Sequence, residues 1–280
     1  MINVGSYTIR EIIFSNFGLD GGAMFGVVPK SIWEKLLAPD THNRIPLTCR
    51  SILIEGGGRK ILVDTGMRGF GDNKFRERFN ISDSPEILSD DFYESITDLV
   101  LTHLHFDHAA SLAKYNESGA VLGLRYPNAK IHLQRANYQE ASFPSLREKA
   151  SYLKPYIELL KTSDLHLIDG ASEIFEGLFV NPINGHTSGQ QWIEIRDTAQ
   201  PLFYLADLVP TSHHISIPYI MGYDLCARDS ISEKVEVLTK AVDQNALIVF
   251  EHDPSISAAL IERTPSGDFK ISPGTTINTL

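Results

Sequence analysis

The feature that most constrains this chain is a run of potential metal ligands in residues 102–108, Thr-His-Leu-His-Phe-Asp-His. His103, His105, Asp107 and His108 stand close together, and packing alone does not require such a density of imidazole and carboxylate groups. The preceding residues 98–101 predict a short buried strand that ends where the run begins. Side chains just past a strand end are free to converge on an ion, so the pattern favours a metal site over a loop of solvated histidines.

Three further candidate ligands stand just past other apolar segments. His186 lies in the turn-rich stretch Asn-Gly-His-Thr-Ser-Gly, Asp207 follows residues 201–206, and His252 follows residues 246–251. The repeated strand-end position is stronger support than any one histidine, because a single histidine is more often a surface or core residue. Asp64 stands at a fourth strand end, and we expect it to hydrogen-bond to a ligand because the ligand set is already full.

The His-x-His-x-Asp-His signature and the later positions resemble the metallo-β-lactamase superfamily, and the similarity runs almost end to end. The resemblance implies one metal ion held by His103, His105 and His186, a second held by Asp107, His108 and His252, and Asp207 bridging the pair. Two such ions hold a shared water and supply hydroxide near neutral pH. We assign Asp207 and Asp107 to catalysis, with Asp207 also accepting or relaying a proton. The nitrogen ligands favour Zn²⁺, and iron and manganese remain open.

Within the superfamily, residues 19–30 are similar to a branch that contains quorum-quenching N-acyl homoserine lactone lactonases and methyl parathion hydrolase. Residues 206–211, with Tyr223 and Asp224, are similar to the lactonase members of that branch. This resemblance implies a small ester, lactone or phosphotriester as substrate, with lactone opening as the leading prediction. Pro210 stands where the lactonases carry an assisting tyrosine. Phosphotriester hydrolysis, glyoxalase II-like thiolester hydrolysis, β-lactam cleavage, flavodiiron-like redox chemistry and metal binding without catalysis are the alternatives, because a fold does not fix a function.

Candidate substrate-pocket residues come from segments outside the ligand set. We expect Met24 and Phe25 to form an apolar wall against an acyl chain, and Tyr223 and His214 to hydrogen-bond the head group. A purely structural interpretation stays open for all four, because methionine and phenylalanine are usual core residues. His214 follows His213 on a predicted loop, where either imidazole can simply be solvated.

Composition narrows the possible partners and compartment. The chain has 25 Lys and Arg against 35 Asp and Glu, a net charge of -10, which disfavours nucleic acid as a partner. The sequence carries no secretory signal and no apolar run of membrane-spanning length. Its two cysteines, Cys49 and Cys226, cannot form a disulfide framework. We therefore predict a cytoplasmic enzyme that does not bind membranes, with a homodimer possible.

Alternating strands and helices predict the architecture. With 280 residues, the chain can bury its core as one α/β domain spanning residues 1–280, and the order of elements predicts a four-layer αβ/βα sandwich with the metal site at the sheet edge between the two halves. Capping-box patterns at Ser31 and Ser230 predict helix starts. We further expect a helix over residues 145–161, and a long loop or two short helices over residues 67–91 near the active-site mouth.

Overall fold

The structure is a computed structural model that describes residues 1–85, 88–116 and 118–280. Its first sheet has the strand order β1-β2-β3-β4-β6-β9-β10, with β5 paired to β2. These strands are β1 (Ile2–Val4), β2 (Tyr7–Asp20), β3 (Arg44–Gly56), β4 (Arg59–Val63), β5 (Ser82–Asp83), β6 (Asp98–Val100), β9 (Lys130–Gln134) and β10 (Leu165–Ile168). Strands β7 (Ala113–Tyr115) and β8 (Val121–Leu124) form a separate antiparallel pair.

The second sheet has the strand order β11 to β16. Its strands are β11 (Ser172–Phe175), β12 (Leu178–Ile183), β13 (Gln190–Ile195), β14 (Leu202–Tyr204), β15 (Leu247–Val249) and β16 (Ala258–Ala259). Strands β17 (Ile261–Arg263) and β18 (Phe269–Ile271) form a hairpin. The helices are α1 (Gly21–Phe25), α2 (Lys30–Trp33), α3 (Asn73–Arg78), α4 (Asp90–Ser95), α5 (Phe106–Ala109), α6 (Arg135–Ser142), α7 (Lys154–Leu159) and α8 (Ala227–Asp243).

Alternation of side chains along the strands divides the core into three layers. In β4, Val63 packs into a cluster shared by the two sheets, whereas Leu62 packs into the cluster beneath α6 and α7. In β14, Tyr204 joins the cluster between the sheets and Phe203 joins the cluster beneath α8. Successive residues of a strand face opposite sides, so each sheet buries both faces. The mixed α/β sandwich, with helices outside two facing sheets, confirms the predicted fold class.

The strand directions bring five chain segments to one edge of the sandwich. Strands β4 and β6 are parallel neighbours in the first sheet. In the second sheet β14 and β15 are parallel, and β12 runs in the same direction because it is separated from β14 by the antiparallel β13. The carboxyl ends of strands that share a direction meet at one edge of their sheet, which is where α/β proteins commonly build sites.

Several predicted elements differ from the structure for local reasons. The predicted strands over residues 130–134, 165–168 and 178–183 coincide with β9, β10 and β12. The predicted helix over residues 145–161 is wrong in extent: turns fill residues 145–151, and α7 begins only at Lys154. Pro155 lies in the first turn of α7, the one part of a helix that tolerates proline without losing a hydrogen bond.

Both predicted capping boxes are wrong. Ser31 lies inside α2, whose N-cap is Pro29, and α8 begins at Ala227, one turn before Ser230. The short-helix alternative for residues 67–91 fits α3 and the start of α4, although residues 86 and 87 of that segment lie outside the described residues. Among the described residues, the structure contains no helix with the length and hydropathy needed to cross a bilayer.

Candidate metal centre

Four side chains from both sheets converge on a first point. His103 and His105 follow β6, His186 follows β12, and Asp207 follows β14. His105 Nδ1 lies 3.1 Å from His103 Nε2 and 3.2 Å from His186 Nε2. Asp207 Oδ2 lies 3.1 Å from His186 Nε2 and 3.8 Å from His103 Nε2. All four residues are buried, so their donor atoms face one another away from bulk water.

A second set shares Asp207 with the first. His108 Nε2 and His252 Nε2 are 3.2 Å apart, and Asp107 Oδ2 lies 3.7 Å from His252 Nε2. Asp207 Oδ1 lies 3.2 Å from His252 Nε2, while Asp207 Oδ2 lies 3.5 Å from His108 Nε2. Asp107 and His108 belong to the short helix α5, and His105 is the N-cap residue of that helix. The seven residues named by the sequence pattern therefore meet as two clusters joined by one carboxylate.

The hydrogen-bond pattern shows why cations fit these clusters. His252 Nδ1 donates to the carbonyl of Thr48 at 2.8 Å, and His108 Nδ1 faces the carboxylate of Glu251 at 2.9 Å. When the imidazoles are neutral, both inward Nε2 atoms carry lone pairs, and two lone pairs at 3.2 Å repel unless a proton or a metal cation lies between them. Zinc–nitrogen bonds of about 2.0–2.1 Å in a tetrahedral site put donor atoms roughly 3.3 Å apart. The donor set and its spacing fit a divalent cation of the zinc type.

Buried carboxylates orient the ligand imidazoles from behind. Asp224 Oδ1 lies 2.9 Å from His186 Nδ1, and Glu148 Oε1 lies 3.5 Å from His105 Nε2. Asp64 Oδ2 lies 3.1 Å from His108 Nδ1, beside Glu251. Such partners fix the tautomer and the ring orientation of a metal-binding histidine. Sequence reasoning missed Glu148 and Glu251 as partners; Glu251 carried a usable signal, because it immediately precedes a ligand, and Glu148 carried none.

Burial and neighbouring charges shift the pKa values of the candidate ligands in opposite directions. Burial by itself lowers the pKa of His186 and of His252, but Asp207 outweighs burial and raises these pKa values to about 10 and about 9. Burial lowers the pKa of His103 well below its ordinary value, and the nearby His108 lowers it further. Burial by itself raises the pKa of Asp207, but His108, His186 and His252 outweigh burial and hold that pKa well below its usual range. These shifts favour the carboxylate form of Asp207 and the neutral form of His103, whereas a bound cation would take the place of the protons on His186 and His252.

A cavity of about 400 Å³ opens onto the two clusters. Metal-ligand side chains form part of its lining, and Glu148 lies beside them. The remaining wall is mostly apolar, with Leu19, Met24, Phe79, Phe106, Ala150 and Met221, and it carries polar groups at Arg147, Ser151 and Tyr223. An apolar cavity with a few convergent polar groups is the usual form of a small-molecule site.

The four predicted pocket residues divide into two pairs. Met24 and Tyr223 line the cavity. Phe25 and His214 do not; they are buried behind it and stack with ring centroids 4.7 Å apart. Both nitrogens of His214 are engaged, Nδ1 with Thr211 Oγ1 at 2.7 Å and Nε2 with the carbonyl of Met24 at 2.9 Å. His214 thus supports the segment that carries Met24, and contacts with a substrate head group are left to other residues.

Pro210 takes a structural position beside the second cluster. It is buried, and its carbonyl accepts a hydrogen bond from the backbone N–H of His252 at 2.8 Å. The backbone bond of Pro210 holds the loop that carries His252. Because proline has no side-chain donor, Pro210 cannot donate a hydrogen bond to a substrate. Any hydroxyl that contacts a substrate must come from another part of the cavity.

Comparisons with known proteins agree with this geometry. Residues 44–252 match the Metallo-beta-lactamase superfamily, a span that contains all seven candidate ligands. The chain is 26% identical over 246 residues to an N-acyl homoserine lactonase of Bacillus cereus, covering 81% of this chain and 89% of that protein. It is 28% identical over 236 residues to the N-acyl homoserine lactonase AiiA of Bacillus thuringiensis subsp. kurstaki, covering 78% and 85%.

Solved structures show the same fold. A probable metal-dependent hydrolase from Staphylococcus aureus superposes with a TM-score of 0.85 at 26% identity, covering 97% of this chain and 99% of that one. AidC, a dizinc quorum-quenching lactonase, superposes with a TM-score of 0.78 at 18% identity, covering 99% and 97%. With its family signature, its two linked ligand clusters and its two-sheet sandwich, the chain belongs to the metallo-β-lactamase superfamily of hydrolases.

Proposed function

We propose that this protein is a lactonase that binds two divalent cations, both Zn²⁺, and opens lactones that carry an acyl chain, such as N-acyl homoserine lactones. The observation that carries the proposal is the pair of candidate ligand clusters, both in contact with Asp207, at one end of a largely apolar cavity. The curated relatives at 26% and 28% identity, both named N-acyl homoserine lactonases, support this substrate class. A purely structural zinc site is closed and four-coordinate, and would need neither a bridging carboxylate nor a cavity.

Different residues of the chain take different roles in the proposed hydrolysis. When bound, the two cations would supply an activated water and polarise the substrate carbonyl. Asp207 contributes to both clusters, and we assign its carboxylate to accept the proton that the attacking water loses. Its Oδ1 atom has no hydrogen-bond partner in the described part of the chain, which fits a carboxylate oxygen that a cation would occupy. The apolar wall holds the acyl chain and keeps bulk water away from the reacting ester.

The test measures metal content and turnover in the same samples. Wild type, His103→Ala and the control His166→Ala are assayed for bound metal and offered acyl homoserine lactones, a phosphotriester, a thiolester and a β-lactam. His166 is exposed and belongs to neither ligand cluster, so its variant should retain about two metal ions and full activity. His103→Ala should lose metal at the first cluster and at least about 10²-fold in kcat, because a first ligand to the activating ion is gone.

Each outcome of the substrate panel has a defined meaning. Lactone turnover far above that of the other three substrates supports the proposal. A metal-loaded wild type that hydrolyses only the phosphotriester or the thiolester would replace the lactonase assignment with that activity. A metal-loaded wild type that turns over none of them would favour metal binding without catalysis.

A further inference from the structure

Few groups in the cavity wall can donate a hydrogen bond to a substrate. Outside the metal ligands, the side-chain donors among the described lining residues are Arg147, Ser151 and Tyr223. Arg147 already directs its guanidinium to the carbonyls of Gly222 and Asp224. Tyr223 is 37% exposed, and its hydroxyl has no hydrogen-bond partner among the residues that the structure describes. Tyr223 therefore combines access to the cavity with an uncommitted donor.

The backbone on both sides of Tyr223 is fixed to the metal centre and the cavity wall. The Gly222 N–H donates to the carbonyl of Ala23 at 2.7 Å, which ties the segment to α1. Asp224 contacts the ligand His186 through Oδ1 at 2.9 Å. Arg147 holds the carbonyls of both flanking residues. These hydrogen bonds of the two flanking residues give the Tyr223 side chain a fixed starting point at the cavity wall, which a hydrogen-bond donor to a substrate needs.

The protonation state of Tyr223 suits a donor. Burial of the phenol, with the carboxylates of Asp107, Asp20 and Asp207 nearby, raises the pKa of Tyr223 to about 12. The phenol therefore keeps its proton throughout the neutral range. A neutral phenol donates a hydrogen bond to an oxygen that gains negative charge during the reaction.

We propose that Tyr223 is a catalytic residue whose hydroxyl donates a hydrogen bond to the carbonyl oxygen of the substrate ester. This inference rests on the proposed hydrolytic function. As water adds to the carbonyl carbon, the C=O π electrons move onto the carbonyl oxygen, and the hydrogen bond stabilises that charge. The C–O bond of the ring then breaks, the carbonyl re-forms, and the released alkoxide takes up the proton from the attacking water. Tyr223 keeps its own proton throughout.

The experiment compares Tyr223→Phe with Tyr219→Phe in the metal-loaded enzyme. Tyr219 lies in the same segment and packs its ring edge against Phe25, so its variant removes a hydroxyl of equal size outside the cavity. For Tyr223→Phe, kcat and kcat/KM should fall together by roughly 10- to 10²-fold, as for loss of one oxyanion donor. Metal content should remain unchanged, and Tyr219→Phe should match wild type.

A binding measurement keeps the inference separate from the choice of substrate. A phosphonate analogue of the opened lactone presents a charged tetrahedral oxygen, and Tyr223→Phe should bind it about 10-fold more weakly than wild type and Tyr219→Phe. If the wild type hydrolyses a different ester, the lactonase proposal fails. The role of Tyr223 is then tested by comparing kcat of Tyr223→Phe, Tyr219→Phe and wild type on that ester. A raised KM with unchanged kcat, or unchanged affinity for the phosphonate, would overturn the role of Tyr223.

Discussion

At the scale of single residues, the backbone conformation of Asp64 explains why an aspartate stands at the end of β4. Its φ angle is +56°, a left-handed conformation in which aspartate and asparagine are enriched among non-glycine residues. The turn directs its carboxylate at Thr102, accepting from the backbone N–H at 2.7 Å and from Oγ1 at 2.6 Å. Asp64 therefore fixes the residue immediately before the histidine run as well as the ring of His108.

The buried histidine His214 leads to a prediction about how the free energy of unfolding depends on pH. Burial, with Lys234 nearby, lowers the pKa of His214 to about 3, against about 6.5 for an unperturbed histidine. The His214 imidazole takes up a proton below about pH 6.5 in the unfolded chain, but only near pH 3 in the folded chain. The contribution of His214 to folding stability is therefore complete above about pH 6.5 and is lost as pH falls from about 6.5 towards 3. The free energy of unfolding should decrease by up to about 1.4 kcal/mol per pH unit from this residue.

The measurement is urea denaturation between pH 7 and pH 4 for wild type, His214→Gln and His42→Gln. Glutamine at position 214 retains an amide for hydrogen bonding and has no charge to acquire, so its stability should depend less steeply on pH. His42 is exposed, and its variant should follow the wild-type slope. Equal slopes for all three proteins would contradict the buried, neutral state of His214.

At the scale of elements, helix α8 holds the loop that carries His186. Glu233 accepts hydrogen bonds from the backbone N–H groups of Asn184 at 2.7 Å and Gly185 at 3.0 Å. Gly185 packs so closely on the helix that a Cβ atom there would lie 2.2 Å from the backbone nitrogen of Ser230. Glu233 lies three residues after Ser230 and completes the capping-box pattern predicted there. In the structure it instead hydrogen-bonds to the neighbouring loop, a contact that local sequence spacing does not reveal.

Glu233→Ala tests this function of the helix. Loss of two hydrogen bonds to a carboxylate should cost roughly 1–3 kcal/mol of unfolding free energy and lower the affinity of the first metal site about 10-fold, because His186 is less well positioned. Denaturation and competition with a chromogenic chelator measure the two effects. Glu236→Ala, an exposed position on the same helix, should change neither. Wild-type metal affinity in Glu233→Ala would show that α8 does not position the ligand loop.

At the scale of the whole molecule, the metal centre joins the two sheets. His103, His105, Asp107 and His108 follow the first sheet, whereas His186, Asp207 and His252 follow the second. Neutral hydrogen bonds also cross between the halves, such as Gln191 N–H to the carbonyl of Thr102 at 2.9 Å. Bound cations would add links that the unfolded chain cannot make, so metal binding should stabilise the entire sandwich.

Removal of metal should therefore lower Tm as well as abolish activity. A ligand at 100 times its Kd stabilises the folded state by about 2.7 kcal/mol, which corresponds to a fall in Tm of at least roughly 5 °C for a chain of this size. Differential scanning calorimetry before and after chelation measures the change. Zn²⁺ should restore Tm, and Mg²⁺ should not, because a nitrogen-rich site suits the softer ion. An unchanged Tm in protein shown to be metal-free would exclude this linkage.

The sequence by itself determined the fold class and named the candidate ligands. The seven ligand positions follow from residue type and from apolar segments that end just before them, and strand periodicity is a local property that survives without tertiary context. The predictions of capping boxes at Ser31 and Ser230 failed because both serines lie inside helices that begin earlier. Glu233 hydrogen-bonds to the loop before His186.

Tertiary structure alone decided what surrounds the ligands. Glu148 lies 3.5 Å from His105, and Glu251 lies 2.9 Å from His108, because strands and loops far apart in the chain meet at one edge, a fact that no local spacing encodes. The same folding buried Phe25 and His214 behind the cavity wall and left Met24 and Tyr223 on it. Candidate ligands were therefore readable from residue types, whereas the cavity beside them exists only after the two sheets have packed.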